Sequence, residues 1–286
     1  MSKVFCVIPV HNRISCIKDC ISYLGTQTYK PIHVIVVDDG STDGTYEYLT
    51  AITQQNFTVL RGDGNLWWTG AMRLGMQYVL NLAGIDDYLL MLNDDVAIGT
   101  DYISSLVRES FQHQRAIIGS VQCCQASGAI IGYGFSIDYF AMRISPRLHE
   151  SIGNQIDALP GRGTLYPISI IQQIGIVNSK LFPHYLGDIE YSARAKDKGY
   201  VLMIGKNANV YTESKSSDQD VRVKYRFFHR FSFRSKSNLI HRLFFFSVRG
   251  PMPLRFCAFP RFIAISLYGI YLRLVKRSPL RRLRHE

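Results

Sequence analysis

The stretch DYLLMLNDDV at residues 87–96 carries the strongest indication of the fold class in this sequence. A short apolar run leads directly into three side chains that bear oxygen atoms, Asn93, Asp94 and Asp95. Such a continuous apolar run is typical of a strand that is buried on both faces of a parallel sheet. Because ligands of open α/β sheets bind beyond the carboxyl ends of the strands, we expect these three residues at a binding site.

The chemistry of these polar residues supports two interpretations. Adjacent carboxylates repel each other, and a bound cation would hold Asp94 and Asp95 together; oxygen ligands suit Mg²⁺ or Mn²⁺. Alternatively, Asp and Asn are common in turns because their side chains hydrogen-bond to the local backbone. Residues 87–96 alone leave both interpretations open.

The chain around this stretch alternates between strand-like and helical patterns. Between residues 4 and 107, apolar runs are followed four times by apolar residues at helical spacing. This alternation predicts βαβ units and a mostly parallel sheet covered on both faces. After Ala116 the pattern is less regular, and we expect a strand over 116–121, a glycine-rich hairpin over 128–137, an irregular segment over 138–163 and a helix over 189–199.

The basic residues are concentrated at the C-terminal end of the 286-residue chain. Residues 213–286 contain 17 Lys and Arg against 4 Asp and Glu, a net charge of +13, whereas the whole chain carries +11. This asymmetry indicates an anionic partner, either a membrane surface or a nucleic acid. The length allows one large α/β domain or a domain with an extension.

Several classes of site are absent from the sequence. The six cysteines show neither a CxxC pair nor zinc-site spacing, and the first residues lack the pattern of a signal peptide, so we expect a reducing, cytoplasmic location. No GxGxxG, GxxxxGK[ST] or GxSxG motif follows a strand. These absences disfavour dinucleotide-dependent dehydrogenases, P-loop enzymes and α/β-hydrolases.

Three further groups of residues are candidates for chemistry. Asp38 and Asp39 end the second predicted strand, where a carboxylate could bind a base or ribose or belong to a helix-capping turn. The loop GNLWWTG at 64–70 contains both tryptophans, which could stack against a sugar or base, although we expect one of them to fill the core. Asp188 opens a helix, either as a dipole-favoured cap or as a general base.

Taken in order, these motifs resemble the family 2 glycosyltransferases, which have the GT-A fold. The resemblance covers roughly residues 3–212, and the loop at 64–70 is most similar to bacterial rhamnosyltransferase-like members that build surface polysaccharides. The matching segments are IPVHNR at 8–13, VVDDGSTD at 36–43, GNLWWTG at 64–70, LNDD at 92–95 and GDIEY at 187–191 with Arg194 and Gly199.

The resemblance implies a metal-dependent, inverting transfer of a hexosyl or rhamnosyl group from a nucleotide-diphosphate sugar to a hydroxyl. The acceptor would be lipid-linked or a growing cell-surface polysaccharide. Asp188 would be the catalytic base, and Asp95 with Asn93 would bind Mg²⁺ or Mn²⁺; Asn93 departs from the Asp found first in the family motif. The residues implied to bind the donor are Pro9, Asp39, Trp68, Gly70 and Asp94.

The chain then divides into a GT-A catalytic domain over 1–212 and a basic, apolar, helical extension over 213–286. Its longer apolar run, residues 262–272, is shorter than the roughly 20 residues that span a bilayer. We therefore expect this extension to lie on the anionic inner face of the cell membrane, or else to pack on the catalytic domain or a second subunit. No nucleic-acid motif accompanies the charge, and a homo-oligomer is left open.

Two other functions fit the same sequence less well. A sugar-phosphate nucleotidyltransferase also uses an α/β sheet, but its glycine-rich phosphate loop is missing after Val10. A non-catalytic membrane-binding module would have no need for Asp39, Asp94, Asp95 and Asp188 together.

Overall fold

A computed structural model describes residues 1–148, 156–212 and 238–277, with side chains described as far as residue 268. Four parallel strands form one half of its central sheet, in the order β3-β2-β1-β4. Val10 of β1 lies opposite Asp38 of β2, so the carboxyl ends of neighbouring strands meet at one edge. The four strands are β1 (Val4–Val10), β2 (Ile32–Asp38), β3 (Phe57–Arg61) and β4 (Tyr88–Met91).

The other half of the sheet is mixed. It continues from β4 in the order β10-β6-β11-β5, with β10 antiparallel to both neighbours, β11 parallel to β6, and β5 antiparallel to β11. The predicted mostly parallel sheet is therefore confirmed for the N-terminal half, whereas the second half departs from it. The strands are β5 (Val96–Ile98), β6 (Ile117–Cys124), β10 (Thr164–Pro167) and β11 (Leu202–Thr212).

Helices cover both faces of the sheet, as the alternating pattern predicted. Successive residues of β1 point to opposite faces, so Cys6 joins one hydrophobic cluster and Val7 joins the other. The first cluster includes residues of α1 and α4, and the second includes residues of α3, α5 and α6. The helices are α1 (Ile14–Gly25), α2 (Thr45–Thr50), α3 (Trp67–Leu80), α4 (Tyr102–Gln112), α5 (Ile168–Ile174) and α6 (Gly187–Asp197).

The glycine-rich hairpin predicted over 128–137 is wrong. β7 (Ile130–Gly132) pairs with β6, whereas β8 (Phe135–Asp138) pairs with β9 (Arg143–Pro146). The chain turns at Gly134, whose φ of +90° suits glycine. The backbone N–H of Phe135 then donates a hydrogen bond to the carbonyl of Ala158. The segment 138–163, which was expected to be irregular, contains β9 in its described part. Residues 149–155 of this segment lie outside the described part.

The described C-terminal residues are helical, as predicted. They form α7 (Leu239–Val248), α8 (Met252–Phe256) and α9 (Ala258–Arg277). Phe245 and Phe246 of α7 are buried in a third hydrophobic cluster with Phe182, Leu186 and Ile189 of the preceding unit. Thus α7 packs on residues of the preceding part of the chain, which agrees with the expected alternative to membrane contact for this helix.

Within the described ranges, the helices are all too short or too polar to cross a bilayer.

Candidate active site

A cavity of about 1440 Å³ opens at the carboxyl ends of β1, β2 and β4. Gly70 of α3 does not line it and instead packs against Leu66, which lies 3.2 Å from the position of a Cβ at residue 70. The other predicted site residues all line this one cavity, namely Pro9, Asp39, Trp68, Asn93, Asp94, Asp95 and Asp188.

The carboxylate of Asp39 orders the loop that precedes α3. It accepts hydrogen bonds from the backbone N–H groups of Gly64 at 2.9 Å, Leu66 at 3.2 Å and Trp67 at 2.9 Å. Asp38 is fully buried beside it and lies 3.7 Å from the guanidinium of Arg61. Asp39 therefore has a structural task in addition to the contact with the nucleotide donor that the resemblance implies, which stays a prediction.

The two tryptophans at the start of α3 have different surroundings. Trp67 adopts a left-handed backbone with φ +56°, which costs about 1–3 kcal/mol for a bulky residue. The hydrogen bond from its N–H to Asp39 helps to stabilise this conformation. Trp68 packs on the hydrophobic core and donates its indole N–H to Asn93 Oδ1 at 2.9 Å. Trp68 therefore joins the core while one edge faces the cavity.

Asp94 and Asp95 both contact Arg13. Arg13 Nη1 lies 3.3 Å from Asp94 Oδ1, and Arg13 Nη2 lies 3.4 Å from Asp95 Oδ2. Burial raises the pKa of Asp94 to about 7; Arg13 opposes this shift and the charge of Asp95 reinforces it. The remaining oxygens, Asp94 Oδ2 and Asp95 Oδ1, are buried without a hydrogen-bond partner in the described residues.

These two partnerless oxygens are the observation that fits a divalent cation. Buried acceptors on adjacent residues are unfavourable unless a cation or donor satisfies them. Asn93 is a less suitable metal ligand, because its amide oxygen already accepts a hydrogen bond from the indole N–H of Trp68. No group of three or more His, Cys, Asp or Glu residues suited to a metal occurs in the part of the chain that the structure describes. The protein ligands would thus be Asp94 and Asp95.

Asp188 lies across the cavity, in the first turn of α6. Its Oδ1 accepts the N–H of Ile189 at 2.8 Å and its Oδ2 accepts the N–H of Gly161 at 2.7 Å. Burial raises its pKa, and these N–H groups act in the opposite direction. The carboxylate is therefore held rigidly in a surrounding that increases its basicity.

The position of α6 depends on a close contact with α3. A Cβ on Gly187 would lie 2.3 Å from Thr69 Oγ1, so only glycine fits at this point. Leu186, which precedes it, has a φ of +69°, a left-handed conformation that is uncommon for leucine. Backbone strain of this kind is concentrated at functional sites, and here it precedes Asp188 directly.

The cavity also contains two arginines beside the acidic pair that the sequence did not identify as site residues. Arg13 belongs to the IPVHNR segment, but its contact with Asp94 and Asp95 depends on the pairing of β1 with β4. Arg162 lies between two glycines and contacts Asp95 at 3.8 Å. The Gly-Arg-Gly sequence at 161–163 was the available indication that a charged side chain is presented by a tight loop.

Comparison with known proteins shows the family of the chain. The sequence profile described as glycosyl transferase family 2 matches residues 5–175, more than half of the chain. The chain belongs to glycosyl transferase family 2. The predicted family is thereby confirmed.

Two curated relatives are similar to parts of the chain. Glycosyltransferase GlyA of Streptococcus pneumoniae is 28% identical over 116 residues, which cover 40% of this chain and 16% of that protein. Galactofuranosyltransferase GlfT1 of Mycolicibacterium smegmatis is 24% identical over 189 residues, 63% of this chain and 62% of the relative. The chain thus matches less than two thirds of either relative.

The mannosyltransferase PcManGT of Pyrobaculum calidifontis, solved with GDP-Man and Mn²⁺, superposes with a TM-score of 0.58 at 13% identity. The superposition covers 98% of this chain and 82% of that structure. At this identity the likeness concerns the fold, and it confirms the predicted GT-A architecture.

Proposed function

We propose that this protein transfers a sugar from a nucleotide-diphosphate sugar to a hydroxyl acceptor with inversion at the anomeric carbon. The observation that carries the proposal is the pair of partnerless carboxylate oxygens on Asp94 and Asp95, in the same cavity as the partly buried carboxylate of Asp188. One end of the cavity can therefore hold a cation and its phosphate, and the other can accept a proton.

In this proposal the nucleotide lies near Pro9 and Asp39, at the ends of β1 and β2. Both residues line the cavity, and the Asp39-ordered loop beside them brings in Trp67 and Trp68. Trp67 is paired with the ring of His184 at 5.4 Å between centroids, so an aromatic wall is available for stacking. Gly70 would contribute indirectly, through close packing at the start of α3.

Asp94 and Asp95 would hold Mg²⁺ or Mn²⁺, which supplies positive charge to the leaving nucleoside diphosphate. Arg13 already contacts both carboxylates, so it would have to share them with the ion. Support for the metal also comes from PcManGT, whose solved structure contains Mn²⁺.

Asp188 would act as the base. Its carboxylate takes the proton of the acceptor hydroxyl as that oxygen bonds to the anomeric carbon from the face opposite the phosphate. The bond between the anomeric carbon and the phosphate oxygen breaks, and its electron pair leaves with the nucleoside diphosphate. The N–H groups of Gly161 and Ile189 fix the orientation of the carboxylate during this step.

The acceptor would be lipid-linked or a growing surface polysaccharide, met at the inner face of the cell membrane. The support is an exposed apolar surface on α8 and α9, where Phe256, Phe259 and Leu267 are 80%, 63% and 60% exposed. Residues 249–277 contain six Lys and Arg and no acidic residue. Exposed aromatic residues among basic ones favour contact with an anionic bilayer surface.

A thermal-shift panel of UDP-, dTDP- and GDP-sugars with Mn²⁺ tests the proposal. One nucleotide family is expected to raise the melting temperature, because a ligand that binds only the folded state stabilises it. The control is the double variant Asp94→Asn, Asp95→Asn, in which the metal-dependent part of the shift should disappear. A wild-type protein that no member of the panel stabilises would contradict the proposed donor site.

A further inference from the structure

The loop at residues 160–163 is fixed on both sides of Arg162. Because β10 runs antiparallel to β4, the residues before β10 lie at the carboxyl end of β4, next to Asp94 and Asp95. Gly161 donates its N–H to Asp188 at 2.7 Å, and Gly163 donates to the carbonyl of Met91 at 2.9 Å. One short loop thus connects the two halves of the proposed site.

Both glycines of this loop are required by their surroundings. A Cβ on Gly161 would lie 2.3 Å from the Trp68 ring, and one on Gly163 would lie 2.4 Å from the Tyr102 hydroxyl oxygen. Gly163 also has a φ of +83°, which suits glycine. The carbonyl of Arg162 accepts a hydrogen bond from Gln122 at 3.0 Å. The backbone of Arg162 is therefore held rigidly at the wall of the cavity.

The side chain of Arg162 is only partly engaged. Among the described residues, its one ion pair joins Nη2 to Asp95 Oδ2 at 3.8 Å, and its buried Nε has no hydrogen-bond partner there. Other arginines of the cavity are more fully used: Arg13 contacts two carboxylates, and Arg242 donates to the carbonyl of Met142 at 2.8 Å. A buried guanidinium nitrogen without an acceptor is unfavourable unless a ligand supplies one.

We propose that Arg162 binds the β-phosphate of the nucleotide-diphosphate donor, between Asp95 and Asp188. This inference rests on the proposed glycosyl transfer and adds to it a residue that contacts the leaving group. The guanidinium forms no covalent bond and gives up no proton; it donates hydrogen bonds to the phosphate oxygen that receives the electron pair of the broken bond.

The charges in the cavity favour this assignment. Asp94, Asp95 and Asp188 all face the space that a diphosphate would enter. The phosphate gains negative charge as the bond to the sugar breaks, and a preorganised cation there stabilises the transition state more than the ground state. Arg162 is also close enough to lower the pKa values of both Asp94 and Asp188, in opposition to burial. Its charge therefore acts on both halves of the site.

The experiment compares Arg162→Gln and Arg162→Lys with the wild-type protein. The probes are the nucleoside diphosphate that binds the wild type, chosen from UDP, dTDP and GDP with Mn²⁺, and the matching monophosphate, which lacks the β-phosphate. In Arg162→Gln we expect affinity for the diphosphate to fall roughly 10- to 100-fold and affinity for the monophosphate to stay within about 2-fold. The diphosphate affinity of Arg162→Lys should lie between those of the wild type and Arg162→Gln, since lysine keeps the charge without the planar donor geometry.

Arg108→Gln is the matched control, because Arg108 is exposed on α4 and does not line the cavity. The ratio of diphosphate to monophosphate affinity is measured on folded protein only, so it remains informative even if a variant is less stable. If Arg162 merely neutralises Asp95, Arg162→Gln will bind Mn²⁺ alone more tightly and leave that ratio unchanged. This result would overturn the inference while leaving the proposed function intact.

A wild-type protein that binds none of the three diphosphates would instead remove the proposed function, and the inference with it. The two failures are therefore distinguishable in one set of titrations.

Discussion

At the scale of single residues, the carboxylates proposed for the chemistry also organise the backbone around them. Asp188 accepts two backbone N–H groups, one from its own helix and one from the loop before β10. Asp39 accepts three from the loop before α3. The sequence could identify these residues because acidic side chains follow apolar runs. It could not identify the distant partners: those of Asp39 lie 25 to 28 residues away in the chain, and Gly161 lies 27 residues from Asp188.

The first prediction concerns Asp188. Asp188→Asn should reduce turnover by roughly 10²- to 10⁴-fold, because an amide cannot take the acceptor proton. Donor affinity should stay close to that of the wild type, since the side chain is nearly isosteric and is proposed to contact the acceptor rather than the donor. The measurements are release of nucleoside diphosphate and a donor titration on the same samples. Undiminished turnover would falsify the role of Asp188 as the base.

The second prediction concerns the metal and its dependence on pH. EDTA should stop the reaction, and Mn²⁺ or Mg²⁺ should restore it. Because burial places the pKa of Asp94 at about 7, the carboxylate pair retains a proton below that pH, and this proton must leave when the ion binds. Affinity for Mn²⁺ should therefore rise between about pH 6 and pH 8, as measured by calorimetry without nucleotide.

The matched variant for this experiment is Asp94→Asn. Its affinity for Mn²⁺ should be much lower than that of the wild type and should depend little on pH. Full activity of rigorously metal-free protein would contradict the assignment of Asp94 and Asp95 to a metal.

At the scale of elements, the start of α6 and the start of α3 determine where the site forms. Gly187 lies against Thr69, and Leu186 in its left-handed conformation turns the chain into α6. The sequence predicted the helix with its end at Gly199 correctly, because capping and periodicity are local signals. It did not predict the contact between the helices, which depends on the packing of both against the sheet.

The third prediction tests that contact. Gly187→Ala should lower the free energy of unfolding by roughly 1–3 kcal/mol, because the added methyl overlaps Thr69. It should also reduce turnover, since relief of the overlap displaces Asp188. Chemical denaturation and an activity assay measure the two effects.

Gly25→Ala is the control, because a Cβ at the end of α1 would meet no atom within 4 Å. We expect that substitution to be neutral or slightly stabilising. Equal effects of the two substitutions would show that the α3–α6 contact is not tightly packed.

At the scale of the whole molecule, the C-terminal helices divide into a packed part and an exposed part. Phe245 of α7 is fully buried, and Arg249 forms ion pairs with Glu190 at 3.2 Å and Asp197 at 3.1 Å. By contrast, Phe256 and Phe259 are largely exposed. The expected division between 1–212 and 213–286 stays a prediction, but removal of everything after Thr212 would take away part of the third hydrophobic cluster.

The fourth prediction concerns attachment to membranes. Flotation with anionic liposomes should decrease several-fold in the double variant Phe256→Ser, Phe259→Ser, because each aromatic side chain contributes apolar area at the bilayer interface. Binding should also weaken as the salt concentration rises from about 0.1 M to 1 M, since the electrostatic part is screened. A chain ending after Gly250 retains α7 and should lose flotation as well.

Phe111→Ser provides the control, because Phe111 is 76% exposed on α4, away from α8 and α9. If the double variant floats as well as the wild type and this control, the exposed surface of α8 and α9 does not hold the protein on membranes.

The sequence by itself determined the strands and helices of the N-terminal half, the acidic residues at their ends and the family. These features depend on periodicity, capping and short motifs, which are encoded within a few neighbouring residues. The tertiary structure alone decided that β10 runs antiparallel beside β4, which brings Arg162 to Asp95 and Gly161 to Asp188. It also decided that the indole N–H of Trp68 donates to the amide oxygen of Asn93, whereas one oxygen each of Asp94 and Asp95 has no partner among the described residues. Such contacts join distant parts of the chain, and strand order and packing select them rather than any local pattern.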